Sequence, residues 1–263
     1  MDLGLKGKVA LVAASSRGLG RAVAEELADE GASLILCARD AQALTETKDA
    51  IVRNSGAQVL AVPADVAVAS DVKRVVDSGV ERFGQIDILV TNAGGPPAGK
   101  FEQVTPEQWE QAVRLTLYSA IELARHVLPG MKERGWGRIL NITSIAVKQP
   151  VENLILSNSL RAGVTGFART LANEVAPAGI TVNNILPGYT RTERVEELAV
   201  MMAEKQGISS AEFKARWEQE IPMKRLGEPR EFAALAAFLV SERASYITGT
   251  SIQVDGGWIR SLL

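Results

Sequence analysis

The chain carries one cysteine, one histidine and few aromatic residues, 5% of its 263. With Cys37 alone, an intramolecular disulfide and a cysteine metal cluster are both excluded. A lone His126 argues against a histidine-built metal site and against a Ser-His-Asp triad. No stretch reaches the roughly 18 apolar residues of a membrane span. The opening MDLGLKGKVALVAASS has no signal-peptide layout. An excess of one charge is missing too. A net charge of -2 gives no reason to expect nucleic acid or an anionic membrane as partner. The single cysteine fits a reducing, cytoplasmic setting.

What remains is an ordinary globular balance, 46% hydrophobic and 23% charged, in a chain long enough to bury a sizeable core. Short β-rich runs alternate with longer helical patterns. The runs are KVALVAA (8–14), SLILCAR (33–39), QVLAVPAD (58–65), IDILVTN (86–92), RILNITS (138–144), ITVNNILP (180–187) and SIQVDGG (251–257). The first six are apolar nearly throughout, as parallel strands covered on both faces should be. Helical patterns fall near 18–30, 41–54, 70–83, 105–134, 157–176 and 228–242. The alternation predicts one α/β domain over 1–263, built on a doubly wound, mostly parallel seven-stranded sheet with helices on both faces.

Thr105-Pro106-Glu107-Gln108 marks a helix start, with a capping residue, a proline at the first helical position and a capping-box glutamine. Trp109, Val113, Leu117, Ala120, Ile121, Ala124 and Leu128 then form the predicted inward stripe, and Thr116 falls on it. Residues 190–224 break the rhythm with a charged, amphipathic segment. They read as one or two inserted helices, a lid over a ligand or equally a solvated excursion or oligomer contact.

The first strand runs into Ala13-Ala14-Ser15-Ser16-Arg17-Gly18-Leu19-Gly20, followed by a helix. Glycines at such a turn let the backbone approach a pyrophosphate, and the helix N-terminus supplies free N–H donors. Two glycines alone also suit a plain tight turn. The stretch GKVALVAASSRGLGRAVAEELADEGASLILCAR resembles the opening of the short-chain dehydrogenase/reductase family, in particular 3-oxoacyl-acyl-carrier-protein reductases, whose turn reads T-G-x-x-x-G-x-G. Ala13 and Ala14 stand where the threonine and first glycine belong. Later segments resemble the same family in order: Leu89-Val90-Thr91-Asn92-Ala93-Gly94, Asn141-Ile142-Thr143-Ser144, Pro187-Gly188-Tyr189-Thr190-Arg191-Thr192, and Val254-Asp255-Gly256-Gly257 with Ile247-Thr248-Gly249 before it. The resemblance spans essentially the whole chain and implies a Rossmann-like fold.

It also implies a nicotinamide cofactor. Ser15, Ser16, Arg17, Gly18, Leu19 and Gly20 would cradle its pyrophosphate, and Asp65 and Val66 would meet the adenine. Asn92, Ala93 and Gly94 would line the nicotinamide ribose side. Pro187, Gly188 and Thr192 would hold the carboxamide. At the end of the second strand, Ala38 takes the place of the carboxylate that binds the ribose of NAD, and Arg39 follows. A guanidinium attracts a 2′-phosphate and Arg17 adds a second positive charge, so NADP(H) is favoured over NAD(H).

The family's chemistry uses a serine, a tyrosine, a lysine four residues on and a helix asparagine. Ser144 fits the serine. An ungapped register then puts Ser157 at the tyrosine position and Arg161 at the lysine position, and Thr116 stands for the asparagine. Serine and arginine at i and i+4 still share a helix face. A tyrosine titrates near ~10 and can be tuned, whereas an aliphatic hydroxyl lies several units higher. An arginine stays protonated and binds ribose hydroxyls, a phosphate or an anionic substrate, but cannot cycle a proton. Losing general acid–base help costs roughly 10²–10⁴ in rate.

Tyr189, Tyr118 and Lys148 are the replacements at hand. Tyr118 is expected to point off the inward stripe, and His126 to be structural. Three readings follow. One is an NADP(H)-dependent oxidoreductase on a carbonyl/alcohol pair, possibly 3-oxoacyl-like, with an atypical proton relay. One is a catalytically degenerate nucleotide-binding or scaffolding protein. One is an elimination or hydration in which Arg161 binds a carboxylate. The first is favoured. By resemblance a homotetramer or homodimer is expected, with the closing IRSLL adding contacts.

Overall fold

A computed structural model describes residues 2–262; the last leucine of the IRSLL segment lies outside the described residues. The seven expected strands are all present: β1 (Val9–Ala13), β2 (Ser33–Ala38), β3 (Val59–Pro63), β4 (Ile88–Thr91), β5 (Gly137–Ile142), β6 (Ile180–Pro187) and β7 (Ser251–Val254). They form one sheet in the order β3-β2-β1-β4-β5-β6-β7, and every pairing is parallel. Parallel strands need crossovers, which the helices supply.

On one face lie α1 (Gly18–Asp29) and α2 (Ala41–Ser55); on the other, α3 (Ala69–Phe83). The pattern expected as one helix over 105–134 is three pieces: α4 (Pro106–Ala112), a π-helical turn (Val113–Tyr118) and α5 (Ser119–Arg134). The capping box at Thr105 and Gln108 forms as expected. Thr116, Ala120 and Ala124 are buried, but the deepest line also runs through Ala112, Leu123, Val127 and Met131. Trp109 and Val113 instead pack sideways against Leu156 and Leu160. The π turn inserts one residue into the helical repeat. A regular 3.6-residue pattern therefore cannot describe both ends of the segment.

The sheet faces are completed by α6 (Ile155–Val175), which joins α3 and α5, and by α9 (Pro229–Leu239), which joins α1 and α2. Between β6 and α9 the chain makes α7 (Glu193–Gln206) and α8 (Ser210–Glu220). These two build a small core of their own from Ala199, Ala203, Phe213, Trp217, Ile221 and Leu226. The insert at 190–224 is thus a packed helical hairpin. No helix among the described residues is long and apolar enough to cross a membrane.

The sheet's strand order reverses between β1 and β4, and a crevice opens there beyond the strand ends. The turn after β1 is tight. Gly18 has φ +58°, and a Cβ on Gly20 would lie 2.3 Å from the carbonyl oxygen of Ala14. Ala14 itself takes φ +49°, a left-handed conformation that costs an L-residue roughly 1–2 kcal/mol. Gly20→Ala forces the turn apart and should cost about 1–3 kcal/mol. A lowered urea midpoint with an unchanged m-value checks this; an unchanged midpoint would show that the turn yields freely.

Candidate functional site

A cavity of about 870 Å³ runs along the C-terminal edge of the sheet, a volume in the range of small-molecule and cofactor sites. Its outer end is lined by Ser16, Arg17, Gly18 and Leu19 from the first turn, by Arg39 after β2, and by Asp65 and Val66 after β3. Asn92, Ala93 and Gly94 follow β4, and Pro187, Gly188 and Thr192 follow β6. Ser144, Ser157 and Arg161 line its inner end. Fourteen cofactor positions drawn from the sequence therefore face one space, counting those named here from Ser16 to Thr192 together with Arg161.

Two do not. Ser15 is fully buried, with its backbone N–H and its hydroxyl both directed at the carbonyl of Cys37. Gly20 is walled in by Ala14 and Asn92. Each shapes the turn from behind, because a loop that bends back onto β2 must turn alternate residues inward. The Asn92 side chain donates 3.4 Å to the carbonyl of Ala14, tying the end of β4 to the glycine turn.

Thr116 also departs from expectation. It is buried, but it faces a separate cavity of about 10 Å³ that it shares with Thr143, Ser119 and Arg161. The hydroxyls of Thr116 and Thr143 have no hydrogen-bond partner among the described residues. Its place beneath Arg161, away from the main cleft, follows from the π turn that carries it.

At the inner end, Ser144 Oγ accepts the backbone N–H of Ala146 at 3.1 Å. That uses a lone pair and leaves the hydroxyl proton to donate into the cleft. Arg161 is clamped by neutral acceptors: Nε donates 3.2 Å to Ser157 Oγ, and Nη1 donates 2.6 Å to the carbonyl of Thr143 and 3.2 Å to that of Ile142. The i, i+4 pair expected on α6 is therefore formed, and it is bolted to the end of β5. Burial, and secondarily the nearby Arg194 charge, bring the Arg161 pKa down from the usual guanidinium value to about 10. The group keeps its proton at neutral pH and still offers no shuttle.

The substitute acids do no better. Tyr189 lines the cleft but stacks on Trp217 at 4.4 Å and meets Trp258 edge-on at 5.8 Å. Burial, and secondarily Glu220, push its pKa up to about 12, the wrong direction for a phenol that must trade protons near neutrality. Lys148 is engaged by Gln253 at 2.9 Å and does not line the cavity. Tyr118 is exposed, as expected. His126 sits on α5 beside Glu122, away from the cleft. Sequence reading missed Arg194, in the first turn of α7, which lines the cleft near Arg161. Its signal, the mixed charges of TRTERVEEL, was too balanced to single it out.

A turn with a glycine at positive φ, two arginines flanking it and a hydroxyl-bearing inner end fit a nicotinamide dinucleotide. A family profile described as Enoyl-(Acyl carrier protein) reductase matches residues 13–259. The chain belongs to the short-chain dehydrogenase/reductase family. It is 34% identical over 255 residues to 3-oxoacyl-[acyl-carrier-protein] reductase FabG of Vibrio cholerae, covering 97% of this chain and 98% of that one. It is equally 34% identical over 255 residues to D-beta-hydroxybutyrate dehydrogenase of Rhizobium meliloti, covering 95% and 98%. Among solved structures, L-sorbose reductase from Gluconobacter frateurii, complexed with NADPH and L-sorbose, superposes with a TM-score of 0.95 at 37% identity over 100% of both chains. The family places this chain among oxidoreductases. A Tyr189→Phe variant removes the one phenol in the cleft. Its turnover should stay within about twofold of wild type with the same pH profile, since a phenol held near 12 contributes little acid–base help. A loss of 10²-fold or more would make Tyr189 the proton donor.

Proposed function

We propose that this chain is an NADP(H)-dependent oxidoreductase of a small carbonyl/alcohol pair, working without a tyrosine proton relay. The carrying observation is the single cleft that joins Arg17 and Arg39 at one end to Ser144, Ser157 and Arg161 at the other. The bound nicotinamide supplies or accepts the hydride. The chain's own residues do the rest. Arg17 and Arg39, both exposed and without an ion-pair partner among the described residues, favour a 2′-phosphate that a carboxylate would repel. Ser144 donates a hydrogen bond to the substrate oxygen and polarises it. Ser157, polarised by Arg161 Nε, offers a second hydroxyl beside it. The proton moves between the substrate oxygen and solvent through the cleft mouth, at a rate cost of roughly 10²–10⁴ against a tuned acid.

The helical hairpin of α7 and α8 acts as a lid on this cleft, since Glu193, Arg194, Glu197 and Leu198 all line it. A cytoplasmic homotetramer or homodimer completes the reading.

Two experiments test it. Arg39→Ala should weaken NADPH binding about tenfold or more and leave NADH binding unchanged, as loss of a charge-assisted phosphate contact requires. Equal effects on both cofactors would remove the phosphate role. The double variant Ser157→Tyr with Arg161→Lys should raise kcat on neutral ketones by roughly 10²-fold or more. Wild type that binds NADPH tightly, with no turnover in either form, would favour a nucleotide-binding protein over a reductase.

A further inference from the structure

We propose that Arg161 and Arg194 together form a subsite for a substrate carboxylate at the inner end of the cleft, so that the substrate is a short oxo acid or hydroxy acid. The inference rests on the oxidoreductase reading of the cleft and adds the chemical class of its substrate.

The first observation is a partly buried cation with no anion. All of Arg161's partners are neutral: one hydroxyl and two backbone carbonyls. No carboxylate lies within ion-pair distance of it among the described residues, in contrast to buried Arg138, which has Glu242 at 3.6 Å. Desolvating a guanidinium without a counter-charge is unfavourable, and a ligand anion would restore the balance. Its Nη2 has no hydrogen-bond partner among the described residues, and the residue lines the cleft. A fork with one free arm suits a planar carboxylate.

The second observation is Arg194. It reaches from the first turn of α7 across to the loop after β4, where Nη2 donates 3.3 Å to the carbonyl of Pro96 and the guanidinium lies against Gly95. Its charge is felt at Arg161, where it disfavours protonation. Two cations thus line one space, near enough for one to act on the other. None of the acids of the cleft pairs with Arg161 among the described residues, and the one that pairs with Arg194 is exposed. Glu197 lies 3.8 Å from Arg194 with 59% of its side chain exposed. Glu193 lies beside Gly18 at the glycine turn. Asp40 caps α2 by accepting from Ala43, and Asp65 accepts from Ala67 at the end of β3. A cofactor's phosphates would sit at the glycine turn with Arg17 and Arg39, so they give Arg161 no counter-charge, and a ribose hydroxyl on Arg161 would bring none either.

The third observation sets the size. Leu115, Val151, Leu154 and Leu198 give the same cavity apolar lining. A short hydrocarbon chain fits against them, with the carboxylate on the arginines and the carbonyl at Ser144.

The test is equilibrium binding, followed by the fluorescence of Trp217, which stacks on Tyr189 at the cleft wall. Wild type, with and without saturating NADPH, is titrated with 3-oxobutanoate, with its methyl ester and with inorganic phosphate. NADPH binding is read separately by its own emission. The acid should bind roughly ten- to hundredfold more tightly than the ester, as a charge-assisted contact implies. Arg194→Gln should erase most of that preference without changing ester affinity, and Arg194→Lys should restore part of it. Arg194 is half exposed, so its variants should fold. Equal affinity for acid and ester, a parallel loss of both in Arg194→Gln, or phosphate binding as tight as the acid, would each overturn the subsite. Binding of the acid without binding of NADPH would retire the cofactor reading alone.

Discussion

Because all seven strands run parallel, every strand releases the chain at the same edge of the sheet. This constraint governs the rest of the molecule. Loops that are far apart in sequence, after β1, β2, β3, β4, β5 and β6, are brought to one rim. Helices must pack on both faces to carry the chain back, and they bury the strands in doing so. The reversal of strand order beside β1 then parts the loops and leaves a crevice. The glycine turn, the arginines that flank it and the hydroxyls at the other end share a cavity for this reason.

Within that frame, Arg161 is the decisive side chain. Its bonds to the carbonyls of Ile142 and Thr143 fasten α6 to the end of β5. Its Nε holds the Ser157 hydroxyl. Each hydrogen bond to a charged group is worth roughly 1.5–3 kcal/mol, so the position does structural service that a shorter or neutral residue would not. The arrangement also limits the chemistry. An arginine fixed by backbone carbonyls is a binder of anions and an orienter of hydroxyls. The nearby phenol is drawn into the aromatic stack of the helical hairpin and pushed away from neutrality. The site retains charge and hydroxyls and lacks a tunable acid.

Much of this was legible in the sequence. Strand and helix positions followed from apolar runs and their alternation, with boundaries shifted by up to three residues. The register that placed Ser157 and Arg161 on one face of α6 held, because no gap interrupts that helix. Three features were not legible. The π turn at 113–118 has no compositional signature, and it decides that Thr116 sits beneath Arg161 and not in the cleft. The inward turn of Ser15 depends on how the loop bends against Cys37, which periodicity does not encode. Arg194 was hidden because its neighbours carry both signs of charge. Its meaning comes from reaching Pro96, about a hundred residues away in sequence.

We propose that the cleft takes a phosphorylated nicotinamide dinucleotide despite the altered residues on α6. Titration of wild-type protein with NADPH and with NADH, read by the emission of the reduced nicotinamide, tests it most directly. Saturable NADPH binding is expected, at least tenfold tighter than NADH binding and weakening with rising salt, as a contact between arginines and a phosphate must. No saturable binding of either cofactor would contradict it.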